Sequence, residues 1–246
     1  MAKIPLKEIQ KSEDFEATFL PGMAIDTVIF GFHEKQLKIL LLRYHKAGLF
    51  GLPAGFIKKN ESLDAAAKRV LYERTGLKHI YLEQYYTFGD LKRFDPRPLK
   101  KIMTANGASA EDDHWLLSRF ISVGYYALVD HTKAVPLHDD LSDDCDWYDL
   151  SALPKLMLDH EAMKDKALAT LRENLDGKLI GFNLMPETFT MAELQSLYET
   201  ILGQKQRRTS FQRKILNMNI LERLAKKNTG GAYKSPYLYR FAAKSK

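Results

Sequence analysis

Two carboxylates and an arginine are spaced so that they can share one edge of a helix. Glu61 follows Gly55 by six positions, Arg69 comes eight later, Glu73 four further, and Gly76 closes the segment. This spacing predicts a sharp turn at Gly55 that leads into an amphipathic helix, with Gly76 as its C′ residue. Residues three and four apart lie on one helix face, so Glu61, Arg69 and Glu73 are expected to face a pocket. Carboxylates on such an edge are the oxygen ligands that Mg²⁺ or Mn²⁺ prefers.

The spacing resembles a Nudix box, but two of its expected acids are missing. In a working Nudix enzyme a glutamate follows the arginine and another follows the later glutamate, and these acids hold divalent ions against a diphosphate. Here those positions are Val70 and Arg74, so two ligands are lost and a repulsive charge is added. We therefore expect a degenerate scaffold without catalytic residues, cofactor or metal. Its box consists of Gly55, Glu61, Arg69, Val70, Glu73, Arg74 and Gly76.

An active hydrolase is the competing interpretation. Glu61 and Glu73 could act with carboxylates elsewhere, such as Glu83 or Asp90, as a Mg²⁺-dependent pyrophosphatase of ADP-ribose or another nucleoside diphosphate derivative. A third interpretation is an RNA-binding or protein-interaction module on an inactive Nudix scaffold. A preference for single-stranded or A-form RNA would favour it.

Length and composition indicate one Nudix-sized domain of about 150 residues with a small second domain. The chain has 246 residues, of which 45% are hydrophobic, as is ordinary for a globular protein. No window reaches the roughly 18 apolar residues of a membrane helix, and the first residues lack the apolar core of a signal peptide. Cys145 is the single cysteine, so we expect a cytoplasmic protein. The seven histidines show no metal-ligand spacing and are interpreted as surface or helix-end residues.

The elements that must position the box are a mixed sheet and a closing helix. Runs of β-branched and aromatic residues predict strands over residues 23–31, 36–43, 81–88, 121–129 and 145–150, and helical periodicity predicts the closing helix over residues 160–175. The resemblance implies an α/β fold, a Nudix α/β/α sandwich with a mixed sheet, over residues 23–178 after an N-terminal arm of residues 1–22. An insertion over about residues 99–117 borders the expected pocket, and its apolar end favours a packed lid or a dimer contact.

The C-terminal end of the chain is strongly basic. Residues 203–246 carry twelve positive side chains and one acid, a net charge of +11, so with +6 for the whole chain the first 202 residues carry −5. A basic end on an acidic body predicts an anionic macromolecular partner.

The same end has the pattern of a winged helix-turn-helix domain, over residues 186–246. Thr190 and Glu193 predict a capping box before a helix that stops at Gly203, and a second helix follows over about residues 210–218. In the second helix Phe211, Ile215 and Leu216 are expected to face inward, and strands over residues 220–224 and 237–241 enclose a basic glycine loop. We expect phosphate contacts at the turn and base contacts from Arg213 and its neighbours. The predicted DNA-binding residues are Arg207, Arg208, Ser210, Gln212, Arg213, Lys214, Lys226, Lys227 and Lys234.

Taken together, the chain resembles the Nudix-related transcriptional regulators, in which a degenerate Nudix domain senses a ligand and a winged helix binds operator DNA. The similarity is carried by residues 66–71 and 75–77 in the box, and by residues 180–186, 189–190 and 194–199 at the domain junction.

The resemblance implies a homodimer on double-stranded operator DNA and a small-molecule effector. One branch of the family senses ADP-ribose or related nucleotides of NAD metabolism, and another responds to pentose sugars such as L-arabinose; residues 69–71 are closer to the sugar branch. We expect a repressor that its ligand releases from DNA. Its effector pocket is placed at Arg43, Phe56, Glu73, Arg97 and Arg119.

Overall fold

A computed structural model describes residues 17–33, 35–78, 80–129, 131, 133–138, 141–177, 184–227 and 235–242, so most of the predicted N-terminal arm lies outside the described residues. The strands are β1 (Phe19–His33), β2 (Gln36–Tyr44), β3 (Leu49–Gly51), β4 (Ala54–Lys58), β5 (Tyr81–Phe88), β6 (Ile121–Val129), β7 (Asp144–Asp149), β8 (Phe189–Thr190), β9 (Leu221–Lys226) and β10 (Tyr237–Phe241). The helices are α1 (Leu63–Thr75), α2 (Arg97–Ala105), α3 (His160–Asn174), α4 (Met191–Leu202) and α5 (Arg208–Asn217). No helix in these ranges combines the length and apolar character needed to cross a membrane.

A mixed sheet forms the centre of the first domain. Its order is β3-β2-β1-β6-β5, with β4 paired to β1 and β7 paired to β2. Strands β1 and β6 are parallel and the other pairs are antiparallel. Residues 25–31 of β1 are buried because helices cover both faces: Ile25 clusters with Ala66 of α1, and Phe30 with Met163 of α3. These layers confirm the predicted α/β/α sandwich.

The first strand begins inside the segment predicted as an arm. Phe19 pairs with Lys58 of β4, and the N–H of Lys59 donates to the carbonyl of Thr18 at 2.9 Å. The Phe19 ring is buried and meets Phe56 edge-on, with centroids 6.0 Å apart. Pairing with β4 therefore extends the sheet four residues before the predicted start.

The predicted insertion contains a helix and is packed against its own domain. Helix α2 carries a proline in its first turn, where the missing N–H has no helical partner to lose. Ile102 and Met103 of α2 are buried, and Trp115, which is 8% exposed, meets the Phe56 ring edge-on at 5.1 Å.

The second domain consists of α4, α5 and the sheet β8-β10-β9. The predicted capping box is present: Thr190 Oγ1 accepts the N–H of Glu193 at 3.2 Å, and the Glu193 carboxylate accepts the N–H of Thr190 at 2.6 Å. Helix α5 begins at Arg208, two residues before its predicted start, and β9 extends to Lys226.

The two domains share one hydrophobic core. Leu194 and Ile201 of α4 lie in the same buried cluster as Met163 and Leu171 of α3. Arg172 of α3 also donates from Nε to the carbonyl of Ile201 at 2.8 Å. Helix α3 therefore belongs to the packing of both domains.

Candidate functional site

The predicted box forms the turn from β4 into α1. Ser62 caps α1 by accepting the N–H of Ala65 at 3.2 Å. Gly76 ends the helix with φ of 68°, which glycine adopts without strain. Gly55 allows a close approach, because a Cβ at this position would lie 2.4 Å from Cγ2 of Val70.

Arg69 ties the loop to the helix. It donates from Nη2 to Oε1 of Glu61 at 2.6 Å and to the carbonyl of Phe56 at 2.7 Å, and from Nη1 to Glu73 at 3.3 Å. Burial alone would raise the pKa of Glu61, but hydrogen bonds from Arg69 and from the N–H of Lys58 outweigh it and hold that pKa below its ordinary value. Burial acts to lower the pKa of Arg69, and pairing with the two acids raises it overall. The edge predicted to face a pocket is thus joined by ion pairs and hydrogen bonds, with a net charge of −1 over Glu61, Arg69 and Glu73.

The positions that would hold a divalent ion do not fit one. Val70 is 0% exposed and packs against Gly55, while Arg74 is 8% exposed and directs Nη2 toward the carbonyl of Ala54 at 3.4 Å. An alkyl group offers no oxygen ligand and a guanidinium repels a cation. Within the described ranges, no three His, Cys, Asp or Glu side chains are grouped so that they could hold a metal.

The predicted effector-pocket residues fall into separate environments. Phe56 and Glu73 are both bonded to Arg69, so the structure brings these two together. The three arginines have other contacts: Arg43 lies over the Phe50 ring at 5.6 Å, Arg97 pairs with Asp95 at 2.8 Å, and Arg119 donates to the carbonyl of Gly89 at 2.6 Å. The pocket assignment for this set stays a prediction.

A buried polar network lies at the start of α3, where no site was predicted. Arg93 binds Asp159 through Nε at 2.9 Å and lies 3.9 Å from Oδ2 of Asp26, which also accepts from the Ser122 hydroxyl. His160 is 3.7 Å from Oδ1 of Asp26. Residues from β1, β6, α3 and the segment after β5 are joined here, so no local pattern in the sequence could have signalled the network.

His160 is a helix-end residue, one of the two predicted alternatives, but it does not lie on the surface. It begins α3, is only 3% exposed, and accepts the N–H of Leu52 at Nδ1 at 2.9 Å. Burial lowers its pKa, and Arg93 acts in the same direction, against the opposing effect of Asp26 and Asp159. Because Nδ1 accepts the N–H of Leu52, the proton of the neutral ring lies on Nε2, the nitrogen nearer Asp26.

A small cleft of about 50 Å³ opens beside this network. Its walls are mainly apolar, with the Arg93 guanidinium at one side. The lining residues are Arg93, Phe94, Asp95, Pro96, Leu99, Leu117, Ser118, Phe120 and Leu158. Arg93 lines the cleft and also pairs with Asp159 at the start of α3. A ligand in the cleft would therefore lie next to the helix that packs against the second domain.

The second candidate site is the exposed face of α5 with the turn before it. Arg207 is the N-cap residue, and the side chains of Arg207, Arg208, Ser210 and Arg213 are exposed, while Gln212 is half-buried. These positions suit contact with a polyanion.

One residue of α5 differs from its predicted position, and a second is ion-paired within the protein. Lys214 is exposed, as predicted, and it binds Oδ2 of Asp176 at 2.6 Å and lies over the Tyr198 ring at 5.7 Å. Leu216 was expected to face inward but is 41% exposed. Phe211 and Ile215, one turn apart, define the buried stripe, and Leu216 lies about 100° beyond Ile215 around the helix.

The strand pair β9–β10 carries a cation–aromatic stack that was not predicted. Arg223 Cζ lies 3.4 Å from the centroid of the Tyr237 ring, and Lys226 Nζ lies 5.5 Å from it. Lys227 pairs with Glu193 at 3.4 Å, and Lys234 lies outside the described residues. Arg223 and Tyr237 could be recognised as neighbours only from the register of the two strands.

Known proteins resemble both domains of the chain. Residues 20–171 match the NUDIX domain family, and residues 181–241 match the NrtR DNA-binding winged helix domain. The chain is 32% identical over 244 residues to the ADPR responsive transcriptional repressor NtrR of Acinetobacter baylyi, covering 96% of this chain and 87% of that protein. It is 27% identical over 161 residues to the ADP-ribose pyrophosphatase of Methanocaldococcus jannaschii, covering 63% and 79%. The crystal structure of Shewanella oneidensis NrtR complexed with a 27mer DNA has a TM-score of 0.66 at 28% identity, covering 89% and 93%. These matches confirm the predicted combination of a Nudix domain with a DNA-binding winged helix.

Proposed function

Since the chain belongs to the NUDIX family and carries an NrtR DNA-binding winged helix domain, we propose that it is a transcriptional repressor that ADP-ribose or a closely related nucleotide releases from operator DNA. One observation carries this proposal. A Nudix box without two of its metal-binding acids and a basic winged helix pack together in one hydrophobic core. A repressor must be in the same compartment as the operator DNA, which agrees with the predicted cytoplasmic location.

A domain that does not hydrolyse its ligand would be suited to binding alone. Val70 and Arg74 stand where the resemblance places two metal-binding acids, so two ligands are missing for the ions that would activate a diphosphate for attack. Arg69 still fixes the loop through Glu61 and the carbonyl of Phe56. A preformed loop of this kind lowers the entropic cost of holding a ligand without cleaving it.

ADP-ribose is favoured over a pentose sugar as the effector by the relative that spans nearly the whole chain. That relative is described as responsive to ADPR, and no relative named above is described as sugar-responsive. A diphosphate is also the ligand class that the resemblance to Nudix proteins implies, and residues 20–171 match that family. We therefore assign the chain to the nucleotide-sensing branch.

Helix α3 is the proposed connection between effector and DNA. Its N-cap residue, Asp159, pairs with Arg93, and Arg172 in its last turn donates to the carbonyl of Ile201 in α4. A ligand that changes the position of α3 would therefore change the spacing of two α5 helices in a dimer. Those helices would enter successive major grooves about 34 Å apart. The ligand can shift this equilibrium only by binding one state more tightly than the other.

Duplex selection with the full-length protein tests this function. A random-sequence duplex pool is enriched on the protein in low salt, and binding of the enriched duplex is followed by fluorescence anisotropy with ADP-ribose, NAD or L-arabinose added. We expect salt-sensitive binding of one duplex, two protein chains per duplex by sedimentation, and release by ADP-ribose. Release by L-arabinose but not by ADP-ribose would show that the effector is the sugar. Failure to enrich any duplex would overturn the repressor proposal.

The hydrolase alternative is favoured by the similarity to an ADP-ribose pyrophosphatase and is tested on the same preparation. AMP release from ADP-ribose is measured with 5 to 10 mM Mg²⁺, roughly the excess that saturates weak hard-ion sites. We expect no turnover. Turnover that increases with Mg²⁺ would show that acids elsewhere replace the missing ligands.

A further inference from the structure

An apolar side chain lies on the outward face of α5. Leu216 is 41% exposed, and it follows Gln212 by four positions and Arg213 by three, so the three side chains share one helix face. The inward face is occupied by Phe211 and Ile215, which are buried against α4 and its surroundings. Leu216 therefore presents its methyl groups on the surface that carries the polar groups suited to base contact.

The charge around Leu216 indicates what covers it. Arg207 and Arg208 stand at the N-terminal end of α5, Arg213 lies one turn before Leu216, and residues 203–246 carry a net charge of +11. A second winged helix domain would be repelled from this face. The first domain of a second copy, with a net charge of −5 over residues 1–202, would be attracted, and a DNA duplex, with about one negative charge per 1.7 Å of its axis, would be attracted more strongly. The occupant must therefore offer both negative charge and a small apolar group within a groove that accepts a helix.

The major groove of DNA offers this combination at thymine. Each base pair presents hydrogen-bonding groups there, and the C5 methyl of thymine is the apolar group among them. Leu216 follows Arg213 by three residues and Gln212 by four, which is about 4.5–6 Å along the helix axis. This distance equals one to two base-pair steps of about 3.4 Å. A leucine so placed would meet a thymine methyl within about two base pairs of the base contacted by Gln212 or Arg213.

We propose that Leu216 contacts the C5 methyl group of an operator thymine and thereby determines part of the sequence preference of the protein. The proposal rests on the proposed function, since it requires duplex DNA binding through α5. Leu216 carries no charge, so it acts on specificity and contributes little to salt-dependent affinity.

Removal of single methyl groups from the operator tests the contact. Each thymine of the enriched duplex is replaced in turn by deoxyuridine, which deletes the C5 methyl and keeps base pairing. For the wild type we expect about fourfold weaker binding at one position per half-site, the factor that corresponds to one buried methyl group. For Leu216→Ala the same replacement should have no effect, and binding of unrelated duplex should equal that of the wild type.

Two further variants separate recognition from folding. Leu137→Ala removes a leucine of matched exposure, 43%, from the first domain and should keep the wild-type response to deoxyuridine. Leu216→Met retains an apolar side chain of similar length, so it should keep a response even if the alanine variant is poorly folded by circular dichroism. The sensitive position should also lie within about two base pairs of the position whose preference is lost in Arg213→Ala.

Several outcomes would overturn the proposal. Equal deoxyuridine sensitivity in the wild type and Leu216→Ala would do so, as would insensitivity of the wild type at every thymine. Dissociation of a dimer by Leu216→Ala without a change in base preference would assign the leucine to a contact between copies. Failure of the wild type to enrich any duplex would instead overturn the proposed function itself, which distinguishes the two.

Discussion

The guanidinium of Arg172 donates from Nε to the backbone carbonyl of Ile201 at 2.8 Å, so a residue of the Nudix domain satisfies a carbonyl in the last turn of the first helix of the winged helix domain. A cation at a helix C-terminus is also favoured by the helix dipole. The hydrogen bond links the first domain directly to α4, and α4 packs against α5 through the rings of Tyr198 and Phe211.

Replacement of Arg172 by alanine should weaken the coupling between the domains. Because the side chain is largely exposed, we expect a loss of only about 1 kcal/mol in unfolding free energy and a Tm lower by about 2–4 °C. The concentration of ADP-ribose that releases the operator should increase, since α3 no longer holds α4. Thermal unfolding and anisotropy measure both effects. Glu173→Ala changes the exposed neighbour and should leave both unchanged; an equal shift in the two variants would contradict the role of Arg172.

The neutral, buried His160 should make stability depend on pH. Burial lowers its pKa in the folded state. Below the unfolded pKa of about 6.5, the unfolded chain therefore binds a proton at this residue that the folded chain does not bind. The free energy of unfolding should therefore fall as the pH drops from about 6.5 to 5, by at most about 1.4 kcal/mol per pH unit from this group. Urea denaturation at several pH values measures the slope.

His160→Asn supplies the matched comparison, because its side-chain oxygen can still accept the N–H of Leu52. The variant should lose the slope between pH 6.5 and 5 and be less stable at pH 7.5. His45→Asn, at an exposed position 3.9 Å from Asp144, should keep the slope. Identical slopes in the wild type and His160→Asn would show that the histidine is not responsible.

Local patterns determined what could be predicted from the sequence. The helix spacing placed Arg69 beside Glu73, four positions on, and the Thr190–Glu193 capping box is likewise a local pattern. Glu61 was expected on the same helix edge but lies in the loop before the N-cap Ser62, where it reaches Arg69 from outside the helix. The sandwich was predicted from runs of strand-forming residues and from the resemblance.

The failures involve residues whose partners are distant in the chain. Asp26 and Asp159 meet at Arg93 although 133 positions separate them, and no periodicity connects such residues. Leu216 was assigned inward because leucine is usually buried, whereas the rotation of α5 is set by Phe211 and Ile215 and by the helix that they pack on. Tertiary packing therefore determined the parts of both sites that the sequence left open.

Asp176→Asn should release Lys214 for contact with DNA. The ion pair joins half-exposed side chains at 2.6 Å, so its loss should change the unfolding free energy by less than about 1 kcal/mol. A freed lysine that reaches a phosphate should make the plot of log K against log salt steeper by about 0.9 and tighten binding in low salt. Asp165→Asn makes the same change of charge on α3, next to Lys164. An equal effect of both variants would attribute the result to net charge alone.

The stack of Arg223 on Tyr237 should hold a cation in place for the DNA backbone. With Cζ 3.4 Å from the ring centroid, the guanidinium is restricted to the surface of the β9–β10 pair, so less side-chain entropy is lost when it binds a phosphate. Tyr237→Ala keeps the charge and should weaken duplex binding by about two- to fivefold without changing the salt slope.

Arg223→Ala should reduce that slope by about 0.9, the change expected for one phosphate contact. Arg240→Ala is the control, because Arg240 is already paired with Glu222 at 2.8 Å and should affect the slope less. Anisotropy titrations over a range of salt measure all three, and a smaller slope change for Arg223 than for Arg240 would place the backbone contact elsewhere.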